Sequence, residues 1–514
     1  MDFKLNKEEI CTSETIFNAK QEQAIELDYV LPDYFPEIYK IIKCIAEPRI
    51  TSREYSGKRL SYDITVCLRI LYCSENSKSI HVIEQRLVYT KTTELENTAV
   101  NPDLKVTASV DYINCRAVNS RRIDLRGAIS AEVTINDICT HKIVSNASGM
   151  GIQLCKIPVT YPVNRLYTSK QIMLNEDFEL GDVKPSISNV ICADASIIST
   201  DKKVIANKMV AKGEINVNLL YNYNVNDECG IESMQFTVPF SQIIDIEGID
   251  ERFECYVEAE IISSDAQPSS DGSGSSNSVN CQICVLIKCY AFRTSTVEFV
   301  SDQYSTEFDS TDNRININIE TIPEYINTTS VIKTAVNFEN EIPETIYGVR
   351  TYIKKYSAVN DDNHIIFNGT AVYTIISCNE EKMPVISEKE DSFTVKIPYN
   401  CLTDSVNINL NPSIISCSYT IVSDNNIEIT SEIKISGAVS CNETINGIDN
   451  IIIDEEKKVD KCDDCALKLY FAEDGESIWD ISKRYRSPVS MVMEENNIDE
   501  DYLSKNSMLI IPIL

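Results

Sequence analysis

Apolar and polar residues alternate with a period of two over most of the chain. Ile64, Val66, Leu68, Ile70 and Tyr72 form one such run, and Ile215, Val217, Leu219 and Tyr221 form another. This patterning gives each strand one buried and one wet face, which is the logic of antiparallel sheet. The two runs belong to a repeat. Pro36 precedes Ile38, Ile41 and Ile42, and Pro185 precedes Ile187, Val190 and Ile191 at the same offsets. Apolar residues at i, i+3 and i+4 behind a proline predict a short helix opening each copy. The spacing agrees without gaps: Tyr72 follows Pro36, and Tyr221 follows Pro185, by 36 residues. A further alternating strand begins 34 residues beyond each tyrosine, at Val106 and at Cys255.

A third copy is more diverged. Pro343, Ile346, Val349 and Ile353 give a helical or mixed stripe, and Tyr373 and Ile375 fall in a weaker strand. Its later strands are clear, with Ile415, Cys417, Tyr419 and Ile421, then Ile427, Ile429, Ile433 and Ile435. The fold is therefore read as mainly β: three tandem β-sandwich or barrel-like modules, at residues 1–170 (with the N-terminal segment), 171–310 and 311–455. Residues 315–332 fit the end of the second module or the start of the third. The Ser- and Gly-rich stretch 267–278 reads as a flexible hairpin loop inside copy two.

After a charged linker at 456–466 the pattern changes. Residues 467–514 read as strand, helix, helix, strand. Asp474-Gly475 supplies a turn, Glu476 or Ser477 a helix cap, and Ile478, Ile481 and Tyr485 an amphipathic face. Ser487-Pro488 opens a second helix, Asn496-Asn497 ends it, and Met508–Pro512 returns as a strand.

Charge narrows the function. Against 47 Lys and Arg stand 78 Asp and Glu, a net charge of −31 in 514 residues. A nucleic-acid reader needs a basic footprint, and anionic lipid attracts basic segments, so both partners are excluded. No window reaches the roughly 18 apolar residues of a membrane span. The N-terminus mixes charges from Asp2 to Glu9 and reads as no secretory signal, so the 19 cysteines are expected to be reduced thiols in a cytoplasm. His81, His141 and His364 are read as surface or hairpin residues. Cys281 and Cys284 lie on one strand with thiols on opposite faces, about 10 Å apart, and cannot chelate together. Cys462 and Cys465 are better placed but lack two further ligands. With no phosphate loop, nucleophile elbow or paired carboxylates singled out, the chain reads as non-enzymatic, without metal or cofactor, and a cell-wall enzyme finds no support.

The tail resembles the LysM domain. Tyr470, the Gly475-Glu476-Ser477 turn, Ile478-Trp479-Asp480-Ile481, Tyr485, the Asn496-Asn497 pair and Leu509-Ile-Ile-Pro512 occur in the family's order, with Glu476 where Gly-Asp is usual and Lys505–Ser507 in place of the usual glycine. The resemblance implies a groove for N-acetylglucosamine polymers such as peptidoglycan, carried here by Asp474, Gly475, Glu476, Ser477, Ile478, Asn496, Asn497 and Ile498. The whole chain resembles the SipL-like morphogenetic proteins of endospore-forming anaerobes, on its proline-led repeat starts, Leu71-Tyr72 and Leu220-Tyr221, Ser301–Thr306 and the terminal LysM. That resemblance implies a spore-coat scaffold in the mother-cell cytoplasm, at the forespore surface. Its LysM would bind the coat base-layer ATPase (SpoIVA-like) beside other coat proteins, with a peptidoglycan-binding protein as the alternative.

Overall fold

In a computed structural model the chain is described except for residues 1–2, 76–78, 97, 100–101, 182, 226–227, 270–275, 339–341, 362, 402–404, 424, 460–466 and 514. Three modules share one plan of two three-stranded antiparallel sheets. Module one comprises β1 (Lys4–Val30), β2 (Lys40–Ser56), β3 (Arg59–Cys73), β4 (His81–Glu94), β5 (Asp103–Asn119) and β6 (Arg122–Ser148), in sheets β2-β3-β4 and β1-β6-β5. Module two repeats this with β7 (Ile152–Glu179), β8 (Ile187–Ile205), β9 (Lys208–Val225), β10 (Glu228–Asp245), β11 (Glu254–Pro268) and β12 (Ser278–Ser305), in sheets β8-β9-β10 and β7-β12-β11. In module three the first strand is split into β13 (Phe308–Glu320) and β14 (Glu324–Asn337), both paired with β19 (Asn426–Lys458). Its remaining strands are β15 (Thr345–Asp361), β16 (His364–Cys378), β17 (Pro384–Pro398) and β18 (Val406–Ser423). Residues 315–332 thus open module three, and the division expected at 170/171 falls within β7.

The helices expected behind Pro36, Pro185 and Pro343 are absent. Those residues lead into strands β2, β8 and β15, which carry β-bulges at Ile41/Lys43, Val190/Cys192 and Ile346/Gly348. A bulge adds one residue to one strand and reverses the facing of all that follow. Ile41 therefore packs in its own module core, whereas its neighbour Ile42 turns to a different cluster. An interrupted period of two imitates the i, i+3, i+4 stripe.

The 36-residue spacing also has a cause. Tyr72 donates its hydroxyl hydrogen to the Pro36 carbonyl at 3.0 Å, and Tyr221 does the same to Pro185 at 3.1 Å. Both rings are fully buried, and burial pushes both phenols up to about 12. Each bond pins the segment entering the first sheet to the strand that ends it. Tyr72→Phe or Tyr221→Phe keeps the packing and leaves one buried carbonyl unpaired, so each should lower stability by about 1 kcal/mol in urea unfolding.

Two apolar seams hold the modules together. At one, the far halves of the three long hairpins converge: Ile10 and Ile143, Tyr161 and Phe299, and Ile317, Ile319 and Ile445 form one cluster. At the other, Leu71, Leu220 and Ile376, one from each module and each paired just beyond the bulge of its own first sheet, meet with Ile80, Ile191 and Ile231. Each fully buried side chain of this size contributes about 1.5–3 kcal/mol, so the modules are joined by cores rather than by linkers. The three hairpins kink at matching points, where register slips occur at Thr15/Phe17 and Ala291/Arg293 and where β13 gives way to β14.

Candidate functional site: the LysM head and its seat

The tail folds as β20 (Leu467–Ala472), α1 (Ile478–Tyr485), α2 (Val489–Asn496) and β21 (Ser507–Pro512), with β20 antiparallel to β21. Ser477 caps α1 by accepting from the Asp480 amide at 3.4 Å. Gly475 turns the chain at φ +83°, and Asn497 closes α2 in the left-handed region at φ 52°. Ile478, Ile481, Val492, Leu503, Leu509 and Ile511 make a small core of their own.

The two stretches expected to flank a groove lie side by side. The Gly475 amide donates to Leu503 O at 2.8 Å, Leu503 returns a bond to Glu476 O at 3.0 Å, and Ile478 donates to Asp501 O at 2.9 Å. Asp474, Gly475 and Asn497 are exposed there, and Ser477 and Ile498 are half-buried. Three of the eight expected residues are engaged inside the domain. Ile478 is 1% exposed in the core. The Asn496 amide donates to Val492 O and Ile510 O and accepts from the Ile510 amide, fastening α2 to β21. Glu476 accepts from the Tyr470 hydroxyl at 2.9 Å and from the Glu473 amide at 3.1 Å. What faces outward is an acidic rim of Glu473, Asp474, Asp499, Glu500 and Asp501, together with a sheet face bearing exposed Leu467, Leu469, Phe471 and Met508.

A second face of the domain was not read from sequence. Trp479, Lys483 and Arg486 recur at i, i+4 and i+7, and all three meet the end of β12. The Trp479 indole donates to Asp302 at 2.9 Å, and the Lys483 ammonium reaches both oxygens of the same carboxylate at 2.6 Å. Arg314 pairs with Asp302 from β13 at 3.1 Å. Tyr304 is 1% exposed, meets the Trp479 ring edge-on at 5.1 Å, and donates its hydroxyl to Ser487 O at 2.6 Å. Arg486 adds bonds to Ser305 O and Asp309. The Ser301–Thr306 segment is thus a seat for the LysM domain. The stripe was legible in principle, but nothing in the tail alone says that it has a partner within the chain.

The remaining candidates for chemistry are dispersed. Cys281 is buried in a core cluster, while Cys284 accepts from Gln171 on the other face. Cys462 and Cys465 lie outside the described residues. No group of three or more His, Cys, Asp or Glu able to hold a metal occurs among the described residues. His81 and His364 begin strands, but His141 sits within β6 facing Glu14 at 3.2 Å. The expectation of reduced thiols throughout needs correction: Cys401 and Cys441 form a disulfide, their Cα atoms 6.2 Å apart across 40 residues. Folding of the loop after β17 onto β19 brings them together, which strand periodicity does not show.

The family model described as SipL, SPOCS domain matches residues 37–118 and 186–268, and the LysM domain model matches 473–512. The chain is a SipL-like protein of SPOCS domains with a C-terminal LysM domain. Its two SPOCS matches run from the segment before β2 to the end of β5, and from that before β8 to the end of β11; β15–β18 repeat their pairing in module three. SPOCS and LysM domains are non-catalytic binding domains, the first sporulation-related and the second peptidoglycan-binding. No curated protein and no solved structure gave a match. Among the described residues no helix is long and apolar enough to cross a membrane.

Proposed function

We propose that this SipL-like chain is a non-enzymatic scaffold of the spore envelope. It works in the mother cell at the forespore surface and links coat assembly to that surface by binding the coat base-layer ATPase, with the LysM domain as recognition head. The observation that carries this reading is the seat. Helix α1 is committed to β12, so the body presents the LysM in one orientation with its acidic rim and apolar sheet face outward. A sugar polymer gains little from such a rim, because each carboxylate must be desolvated without a cation to pair with. A polypeptide with a basic edge and apolar anchors suits both features. The groove would serve through Asp474, Gly475, Ser477, Asn497 and Ile498, while Glu476, Ile478 and Asn496 hold its shape.

Reversing charge at exposed rim positions, Asp499→Lys with Glu500→Lys, tests this in the full chain. Capture of the coat base-layer ATPase should weaken about tenfold or more with an unchanged melting temperature. Undiminished capture, or retention by insoluble peptidoglycan with no ATPase bound, favours the peptidoglycan-binding alternative and overturns the proposal.

A further inference from the structure

Between the two apolar seams the three modules enclose a cavity of about 2000 Å³. Ligand pockets commonly hold about 300–1,000 Å³, so this space admits a ligand larger than one sugar ring. All three modules supply wall: Lys105 of β5, Glu258 of β11 and Ser436 of β19 among others. Most cations on the wall are already paired, as Arg350 is with Asp194, Arg165 with Glu320 and Lys288 with Glu260.

Lys434 is different. It is only 6% exposed and lines the cavity, yet among the described residues no hydrogen bond or ion pair reaches its ammonium. Its neighbours Ile433 and Ile435 point into the module core, so strand alternation sends Lys434 and Ser436 to the cavity face of β19. Burial without a compensating carboxylate lowers its pKa. A buried ammonium is costly until a counter-charge arrives. The wall beside it carries uncharged hydrogen-bonding groups and an aromatic face. Ser413 of β18 lies directly opposite Lys434 in the ladder, and Asn411 precedes it, accepting from the Tyr356 hydroxyl at 3.1 Å. Tyr356 is 47% exposed, and it too lines the cavity.

We propose that the axial cavity binds an anionic carbohydrate, its acid group on Lys434, its hydroxyls on Asn411, Ser413 and Ser436, and a ring face against Tyr356. Amide and hydroxyl groups match sugar hydroxyls, an aromatic ring matches the apolar face of a pyranose, and a lone cation selects an acid over a neutral sugar. The site is separate from the LysM groove and does not depend on what that groove binds.

Calorimetric titration of the full chain with glucuronate, glucose 6-phosphate, inorganic phosphate and glucose tests this. One acidic sugar should bind saturably and at least tenfold more tightly than glucose or inorganic phosphate, and which one it is distinguishes a carboxylate from a phosphate ligand. Lys434→Met should weaken that binding at least tenfold while the melting temperature stays level or rises, because the change removes an unpaired buried charge. Should that variant fail to fold, Lys434→Gln and Tyr356→Ala carry the same expectation. No saturable binding of either acidic sugar at about 10 mM, equal affinity for inorganic phosphate, or affinity indifferent to Lys434 would overturn the proposal.

Discussion

Gly437→Ala is expected to unfold module three at temperatures where the native chain is intact. Gly437 sits in β19 at φ +149°, between Ile326 of β14 and Leu410 of β18. A Cβ there would lie 1.9 Å from the Asn409 carbonyl oxygen and 3.1 Å from the Leu410 Cα. The obstruction is backbone, so it cannot rotate away, and β18 must separate from β19. The cost is on the order of 3–5 kcal/mol, the range of severe core disruption. Asn409 also accepts from Lys105 of module one, so the disturbance reaches the joint between modules. Gly57→Ala provides the comparison. It has positive φ, +63°, but open space around the added carbon, and should cost about 1 kcal/mol. Urea unfolding of the two variants should differ severalfold in lost stability; equal losses would show that the β18–β19 approach is not tight.

Asp302→Ala should release the LysM domain from its seat while each part stays folded. The single carboxylate receives Lys483, the Trp479 indole and Arg314. Charge-assisted bonds contribute about 1.5–3 kcal/mol each in favourable settings; with Asp302 and Lys483 partly exposed, the whole group is worth about 2–3 kcal/mol. Trp479 is the chain's only tryptophan, so its emission reports the seat directly and should shift to the red. The same probe gives the pH dependence. Burial raises the Asp302 pKa, but the hydrogen bonds from Lys483 and Trp479 and the charge of Lys483 more than offset this, and the net pKa is lowered. A carboxylate held lower in the seated form stabilises it above its free pKa, about 3.9. That stabilisation is lost as pH falls through the seated value. The native chain should therefore keep its blue emission at neutral pH and redden in acid, whereas Asp302→Ala should be red at both.

Much of the fold was legible because period-two alternation records which face of a strand is covered. The copies, their common spacing and the βααβ tail all follow from such patterns. What escaped depends on a residue inserted into that alternation. Behind Pro36 and Pro185 the bulges place Ile41 and Ile42, or Val190 and Ile191, on opposite faces, and the stripe reads as helix. Leu71 beside Tyr72, and Leu220 beside Tyr221, were noticed as a signature; their meaning is that both faces of the strand end are covered, one by its own module and the other by the neighbouring modules. Within the LysM, identity of residues pointed to the right stretches but not to the roles of Ile478, Asn496 and Glu476, since a conformational clamp and a ligand contact look alike in a string. Trp479 was legible as a family feature, yet its partner Asp302 lies 177 residues away.

Hydrogen exchange of the full chain, alone and with the coat base-layer ATPase, tests the central claim most directly. The account predicts new protection in residues 474–478, 497–503 and β20. Residues 479–487, already seated on Asp302 and Tyr304, should not change. Protection confined to the β-modules, or protection of 474–503 by peptidoglycan fragments with none from the ATPase, would contradict it.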